Sequence, residues 1–159
     1  MKLFPALVAF AALAACATAP QPRVPEYYVM RHLQKAAGPD PALSEEGRVG
    51  AERLIALLGK RGPTAIYVST TRRARETAGA VAAKWKLVPK EYDPSDTPGL
   101  IARVTSERGP VLIVGHSNTV PEIVERLGGA RPADLAETDY GDVWHLSGEP
   151  RRTERLRLP

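Results

Sequence analysis

The chain contains EYYVMRH at residues 26–32, an apolar, β-favouring run that ends abruptly at Arg31 and His32. A second run, VLIVGH at residues 111–116, begins with four apolar residues and ends in another histidine. Short apolar runs of this kind are typical of strands buried inside a sheet. The sequence therefore predicts two core strands, each followed at its end by a histidine.

Helical patterns lie between these strands. Ser44 is suited to cap a helix, and the acids Glu45 and Glu46 follow in the first turn, where the helix dipole favours negative charge. The helix is expected to end at the glycine-containing residues 59–62. Its expected apolar stripe consists of Val49, Leu54, Leu57 and Leu58.

The alternation continues to the end of the chain. The later elements are expected to be a strand at 65–68, a helix through Thr77, Val81 and Trp85, a helix from Pro121 to Leu127, and strands at 143–146 and around Leu156 and Leu158. Residues 33–43 and 86–110 are expected to be loops. Alternating strands and helices indicate an α/β fold, here a three-layer α/β/α sandwich with a mostly parallel sheet.

Composition and charge narrow the functional classes. Hydrophobic residues make up 43% of the 159-residue chain, which is enough for the packed core of one domain. The formal net charge of +4 arises at the chain ends, because Lys2 and four of the last nine residues are basic. A nucleic-acid partner is not expected, since such proteins concentrate positive charge on one face. The single cysteine excludes an internal disulfide and a multi-cysteine zinc site.

Residues 1–15 are typical of a signal peptide, because Lys2 precedes an uncharged apolar run that is too short to span a bilayer. Residues 13–16, LAAC, resemble the lipobox of bacterial lipoprotein precursors. The resemblance implies cleavage before Cys16 and acylation of that cysteine. The alternative is an ordinary cleaved signal peptide with an incidental cysteine.

This pattern divides the chain into three segments. Residues 1–15 form the leader, residues 16–25 carry the lipidated Cys16 and a proline-rich extended tether, and residues 26–159 form the folded domain. Ala17 after the cysteine resembles lipoproteins sent to the outer membrane. The sequence therefore predicts a domain held by a lipid anchor on the bacterial periplasmic side.

Polar residues follow the ends of three predicted strands, namely Arg31 and His32, residues 69–73 and residues 116–119. In open α/β sheets, ligands bind at the carboxyl edge of the strands. Arginine matches phosphate oxygens, and its positive charge disfavours the protonated form of a nearby histidine. A neutral histidine near neutral pH is a nucleophile, so this chemistry suggests phosphoryl transfer through a histidine.

Three motifs, in this order and spacing, resemble the histidine phosphatase superfamily. They are MRH at 30–32, STTRRARETA at 69–78 and VGHSNT at 114–119. The resemblance covers roughly residues 26–146 and implies a phosphoglycerate mutase-like fold. It implies that His32 becomes phosphohistidine, while Arg31, Arg73 and His116 clamp the phosphoryl group. The same comparison favours Arg73 over Arg72, and assigns further contacts or support to Lys35, Ser69, Asn118 and Thr119.

The proton donor departs from the family pattern. Some branches have an aspartate directly after the second histidine, where this chain has Ser117. Other branches have a glutamate between the second and third motifs, for which Glu91, Asp93 and Asp96 are the candidates, although none lies in the family's surrounding motif. Loss of general acid catalysis costs about 10²–10⁴-fold in rate, so good leaving groups such as phosphohistidine or aryl phosphates would be preferred.

The resemblance thus implies a histidine acid phosphatase-type phosphoric monoester hydrolase, with phosphohistidine among its candidate substrates. It would hydrolyse a small phosphorylated substrate, a phosphomonoester or phosphoramidate, without a metal or organic cofactor. The alternative is a lipoprotein that binds phosphorylated sugars or lipopolysaccharide without turnover. His145 alternates with Val143 on a late strand, and is expected to be structural.

Overall fold

The computed structural model describes residues 24–159, so the predicted leader, Cys16 and most of the tether lie outside the described residues. The strands are β1 (Tyr27–Arg31), β2 (Ala65–Ser69), β3 (Lys90–Tyr92), β4 (Val111–Gly115), β5 (Asp142–Ser147) and β6 (Arg152–Arg157). The helices are α1 (Glu45–Leu58), α2 (Arg72–Trp85), α3 (Thr97–Thr105) and α4 (Val120–Arg126). None of the helices within residues 24–159 is long and apolar enough to cross a membrane.

The strands form one mixed sheet in the order β3-β2-β4-β1-β5-β6. The first four strands of that order are parallel, whereas β5 pairs antiparallel with β1 and β6 antiparallel with β5. The prediction of an α/β fold with a mostly parallel sheet is confirmed. In the β1–β4 ladder Arg31 lies opposite Gly115, so the segments that follow these two strands leave the sheet side by side.

Two apolar clusters cover the two faces of the sheet and make the fold three-layered. One cluster joins α1 and α2 to the sheet through residues such as Leu54, Val81, Met30 and Leu112. The other joins α3 and α4 to the opposite face through residues such as Leu100, Ile123, Val29 and Ile113. Because strand residues alternate between the faces, neighbours such as Val29 and Met30 contribute to different clusters.

Two sequence expectations about local structure are wrong. Residues 86–110 do not form one loop, since they contain β3 and α3. The strand was missed because it has only three residues, KEY, and two of them are exposed. Val49 does not join the core, because its side chain is 42% exposed; Leu54 and Leu58 supply the buried stripe of α1 together with Ala51.

The carboxy-terminal hairpin contacts the start of the domain. Arg151, in the turn between β5 and β6, donates a hydrogen bond to the carbonyl oxygen of Pro25 at 2.6 Å. Its guanidinium also lies over the ring of Tyr27, 5.2 Å from the centroid. These contacts fix the point at which the described chain enters β1.

The start of α1 packs closely against the segment that follows β1. The Ser44 hydroxyl accepts the N–H of Gly47 at 3.2 Å, as predicted for an N-cap, and the Ser44 N–H donates to the carbonyl oxygen of Gln34 at 2.9 Å. A Cβ on Gly47 would overlap that same carbonyl oxygen. Glycine is therefore required at this helix position by the approach of Gln34.

We expect Gly47→Ala to lower the free energy of unfolding by about 1–3 kcal/mol, because the added methyl group must displace backbone. Gly79→Ala is the matched control, since Gly79 is an exposed glycine in α2 whose added Cβ would meet nothing within 4 Å. That control should raise stability by ~0.5–1 kcal/mol through helix propensity. Urea denaturation measures both, and equal effects of the two substitutions would contradict the close approach.

Candidate active site

His32 lies at the carboxyl end of β1 and is 2% exposed. Its backbone N–H donates to the carbonyl oxygen of Gly115 at 2.9 Å, and its ring Nδ1 lies 2.8 Å from the carbonyl oxygen of Leu33. A carbonyl oxygen can only accept, so Nδ1 carries the hydrogen and Nε2 of the neutral ring keeps its lone pair. This tautomer leaves Nε2 with a lone pair and no hydrogen.

Helix α2 fixes the segment that follows His32. The N–H of Leu33 donates to Thr77 Oγ1 at 3.0 Å, and the same hydroxyl donates to the carbonyl oxygen of Arg73 at 2.8 Å. Thr77 is fully buried, so water does not compete for these bonds. One hydroxyl therefore links the His32 segment to the turn that carries Arg73.

His116 follows β4 and places its ring beside that of His32. The ring centroids are 5.3 Å apart and the ring planes are inclined by 65°. The backbone N–H of His116 donates to Thr119 Oγ1 at 3.0 Å, and the Thr119 hydroxyl donates to the carbonyl oxygen of His116 at 3.4 Å. The Thr119 side chain thus fixes the backbone of His116 rather than its ring.

Arg73 lies in the first turn of α2 and contacts the second histidine. Its Nη2 is 3.4 Å from His116 Nδ1. A guanidinium can only donate, so Nδ1 accepts and the neutral ring of His116 carries its hydrogen on Nε2. Arg72 instead pairs with Glu76 at 2.7 Å on the helix surface. The structure therefore brings Arg73 into the histidine cluster and leaves Arg72 outside it.

Arg31 is 3% exposed and is bound mainly by a loop that precedes β5. Its Nη1 donates to the carbonyl oxygens of Ala136 at 2.7 Å and Asp139 at 3.3 Å. Its Nη2 donates to the carboxylate of Glu137 at 3.1 Å and to the hydroxyl of Tyr140 at 3.3 Å. The guanidinium also lies 4.2 Å from the centroid of the Tyr140 ring. This loop, residues 136–140, is a part of the site that the sequence analysis missed.

The topology explains how this loop reaches the site. Strand β5 runs antiparallel to β1, and Met30 pairs with Val143 near the start of β5. A segment that enters β5 must therefore arrive at the carboxyl end of β1, beside Arg31. Residues 136–142, AETDYGD, contain acidic and aromatic side chains that can bind an arginine. This pattern could not be assigned to Arg31 without knowing the strand order.

Both site arginines keep an unused hydrogen-bond donor. Within residues 24–159, the buried side-chain nitrogens that lack a partner are the Nε atoms of Arg31 and Arg73, and Nε2 of His145. A buried guanidinium N–H without an acceptor is costly, so such groups are expected to meet an acceptor in the functional state. The two arginine Nε–H groups are donors and both belong to the site, so the site suits a ligand with several oxygen acceptors.

Both histidines are held in the neutral form. Burial, reinforced by the positive charge of the site arginines, lowers the pKa of His32 and of His116 to about 4, despite the opposing hydrogen bond from His32 to the Leu33 carbonyl. From the sequence, the neutral form of the histidines was expected to result from the positive charge of the arginines alone. Their effect has the expected direction, but burial is the larger cause.

The other residues proposed for substrate binding lie less centrally. Lys35 is exposed, and its backbone forms a β-bridge with Leu43. Ser69 is buried at the end of β2, and its hydroxyl lies 3.1 Å from that of Thr71. Asn118 is exposed in the turn after His116. In the described part of the chain, no hydrogen bond joins these three side chains to either histidine.

The acids considered as proton donors all have structural partners. Glu91 pairs with Arg75 at 3.0 Å. Asp93 accepts the N–H and the hydroxyl of Ser95 at 2.8 and 2.6 Å. Asp96 accepts the N–H of Gly99 at 2.9 Å and caps α3.

The carboxylates that contact the site arginines are different ones, Asp40 and Glu137. Asp40 lies 3.8 Å from Arg73 Nη1, and Glu137 lies 3.1 Å from Arg31 Nη2. No group of three or more histidine, cysteine, aspartate or glutamate side chains in residues 24–159 is arranged to hold a metal ion. The chemistry of the site is therefore built from two imidazoles, two guanidiniums and nearby carboxylates.

A family model for the histidine phosphatase superfamily (branch 1) matches residues 28–95. The structure is similar to that of the proposed phosphohistidine phosphatase SixA from Agrobacterium tumefaciens, with a TM-score of 0.63 and 25% identity over 85% of this chain and 98% of that one. No curated protein sequence matches the chain.

Two further solved structures share the fold. The mycobacterial glucosyl-3-phosphoglycerate phosphatase, in complex with inorganic phosphate, has a TM-score of 0.62 and 21% identity over 84% of this chain and 97% of that one. The proposed α-ribazole-5′-phosphate phosphatase from Escherichia coli has a TM-score of 0.65 and 16% identity over 85% and 96%. The match extends over most of each chain, so the fold is common to all of them.

We expect His32 and His116 to remain neutral from neutral pH down to about pH 5, and to titrate with a pKa of about 4. A free imidazole titrates at about 6.5. A lowered pKa means that the neutral form prevails at every pH above it, so both rings should stay neutral on acidification to about pH 5. Nitrogen NMR shifts of the imidazoles measure this directly. A midpoint near 6.5 for either ring would contradict the proposed effect of burial.

Proposed function

Since the chain belongs to the histidine phosphatase superfamily, we propose that it hydrolyses a phosphorylated substrate in two steps, through a phosphohistidine formed on His32. The family match and the phosphatase neighbours support phosphatase activity in general. The proposal of His32 as the nucleophile is carried by one observation. Its Nε2 lone pair is free, since the Leu33 carbonyl fixes the hydrogen on Nδ1.

The surrounding donors suit a phosphoryl group. The Nε–H groups of Arg31 and Arg73 are buried and unpartnered, and the neutral ring of His116 carries its hydrogen on Nε2. Guanidinium groups bind phosphoryl oxygens with charge-assisted hydrogen bonds, which shorten and strengthen as negative charge develops. These three side chains can therefore stabilise the phosphoryl group during its transfer.

The first step forms a bond from His32 Nε2 to phosphorus and breaks the bond from phosphorus to the leaving atom. The Leu33 carbonyl accepts the Nδ1 hydrogen throughout, so it stabilises the positive charge that the ring gains on phosphorylation. In the second step, water adds to phosphorus, the bond to Nε2 breaks and inorganic phosphate leaves. The ring returns to the neutral tautomer in which it began.

The substrate class follows from the leaving group and from the acidity of the site. The lowered pKa of both histidines keeps the nucleophile active in mild acid, which supports the acid phosphatase type of monoester hydrolase. The likeness to SixA supports phosphohistidine or a related phosphoramidate as a substrate. The bridging nitrogen of a phosphoramidate is protonated more readily than the ester oxygen of a phosphomonoester, so its departure demands less of the enzyme's acid.

We expect His32→Ala to abolish hydrolysis of 4-nitrophenyl phosphate and of phosphoramidate at about pH 5, because the substitution removes the Nε2 lone pair that is proposed to bond to phosphorus. The matched control is His145→Gln, since His145 stacks on Tyr28 away from the histidine pair. It should retain activity. Brief exposure of the wild type to radiolabelled substrate should leave an acid-labile label that the His32 variant lacks.

Wild-type protein that binds inorganic phosphate but neither hydrolyses these substrates nor acquires the label would contradict the proposal. That outcome would favour the alternative of a lipoprotein that binds phosphorylated sugars without turnover. Retention of activity by the His32 variant would instead contradict the choice of nucleophile.

We further propose that Cys16 is acylated and anchors the domain to the periplasmic side of the outer membrane. The support is the sequence LAAC at 13–16 and the proline-rich residues that follow it. The full chain produced in a bacterium with labelled palmitate should incorporate label and sediment with outer-membrane vesicles. Cys16→Ser should lose both properties. Unlabelled wild-type protein would contradict acylation and leave an ordinary cleaved signal peptide.

A further inference from the structure

The carboxylate of Glu137 contacts the residues that adjoin both histidines. Its Oε2 accepts from Arg31, which directly precedes His32, at 3.1 Å. Its Oε1 accepts from the hydroxyl of Ser117, which directly follows His116, at 3.4 Å. One carboxyl group therefore contacts a sequence neighbour of each histidine.

Hydrogen bonds hold the loop that carries Glu137 in place. The Asp139 carboxylate accepts the N–H of Ala136 at 2.8 Å, and the Asp139 N–H donates to the Ala136 carbonyl oxygen at 3.0 Å. That carbonyl oxygen also accepts from the buried guanidinium of Arg31 at 2.7 Å. The residues on either side of Glu137 thus form a hydrogen-bonded turn that also binds Arg31. These bonds fix the backbone position of Glu137.

The exposure of the two partners shows on which side of the site the carboxyl lies. Arg31 is 3% exposed, whereas the side chain of Glu137 is 80% exposed. The carboxyl therefore lies at the solvent side of the buried phosphoryl-binding groups. When the phosphoryl group of a substrate occupies the buried part of the site, the organic portion lies on the solvent side. The leaving atom and the Glu137 carboxyl are therefore both at the entrance of the site.

The competing acid is less well placed. Asp40 lies 3.8 Å from Arg73 Nη1, but its carboxylate also accepts the backbone N–H of Arg72 at 3.0 Å and so holds the first turn of α2. Glu137 has no such backbone partner among the hydrogen bonds of residues 24–159. Its carboxyl therefore does not cap a helix, in contrast to that of Asp40.

We propose that Glu137 is the proton donor of the reaction, an inference that rests on the proposed function. As His32 Nε2 bonds to phosphorus and the bond to the leaving oxygen breaks, the Glu137 carboxyl gives its proton to that oxygen. The resulting carboxylate takes a proton from the water that attacks phosphorus, while the bond to Nε2 breaks. Protons and charges are thereby restored at the end of the cycle.

The test compares Glu137→Gln with wild type in the full chain, purified in detergent, by the release of phenol in a single turnover with excess enzyme. Phenyl phosphate needs a proton on its leaving oxygen, so its rate should fall by about 10²-fold or more. For 2,4-dinitrophenyl phosphate, whose leaving group departs as an anion, the rate should fall by less than about threefold. Glu137→Asp should recover part of the loss on phenyl phosphate.

Asp134→Asn is the matched control, since Asp134 precedes the same loop, is 96% exposed and contacts only Arg131 among the described ion pairs. It should leave both rates unchanged. Equal loss on both substrates in Glu137→Gln would overturn the proposal and assign Glu137 to the positioning of Arg31. No loss on either substrate, or the leaving-group-dependent loss in Asp40→Asn instead, would overturn it as well.

Failure of this proposal is distinguishable from failure of the proposed function. If Glu137→Gln forms phosphohistidine from 2,4-dinitrophenyl phosphate as fast as wild type, the role of His32 stands whatever happens with phenyl phosphate. If wild type itself forms no phosphohistidine, the proposed function fails first. Circular dichroism of each variant reports whether the substitution has altered the fold.

Discussion

The parallel pairing of β1 with β4 sets the position of both histidines. Arg31 lies opposite Gly115, and the N–H of His32 extends the ladder by one more bond to the Gly115 carbonyl. A slip of one residue in this register would turn the side chains of β1 to the opposite face of the sheet. The 5.3 Å distance between the ring centroids thus depends on the pairing of these two strands, of which β4 is buried along its whole length and β1 at every residue except Tyr28.

The buried charge of Arg31 explains why the loop before β5 belongs to the site. A guanidinium that is 3% exposed must be compensated by acceptors, because an uncompensated buried charge costs several kcal/mol. The loop supplies two carbonyl oxygens, a carboxylate and the face of Tyr140. Residues 136–140 and the end of β1 therefore form one unit, although more than 100 positions separate them in sequence.

The main strands and both histidines could be predicted because the signals are local. An apolar run that stops at a histidine is visible within seven residues, and so is the Ser44 cap. The features that were not predicted, β3 and the loop that binds Arg31, depend on weak sequence patterns or on contacts between residues far apart in sequence. The strand KEY has no apolar run, and Glu137 becomes a neighbour of Arg31 only once β5 is known to pair with β1. The cause of the lowered histidine pKa was also assigned incompletely, because burial cannot be read from a list of nearby charges.

The hairpin contact of Arg151 has a consequence for how the molecule is oriented. Arg151 binds Pro25 and Tyr27 at the start of β1, whereas Arg31 and His32 lie at its other end. A strand of five residues at about 3.3 Å each separates the two by roughly 15 Å. The described chain therefore begins on the side of the domain away from the histidines. A group attached at the start of β1 would therefore lie at the end of the strand opposite the two histidines and would not cover them.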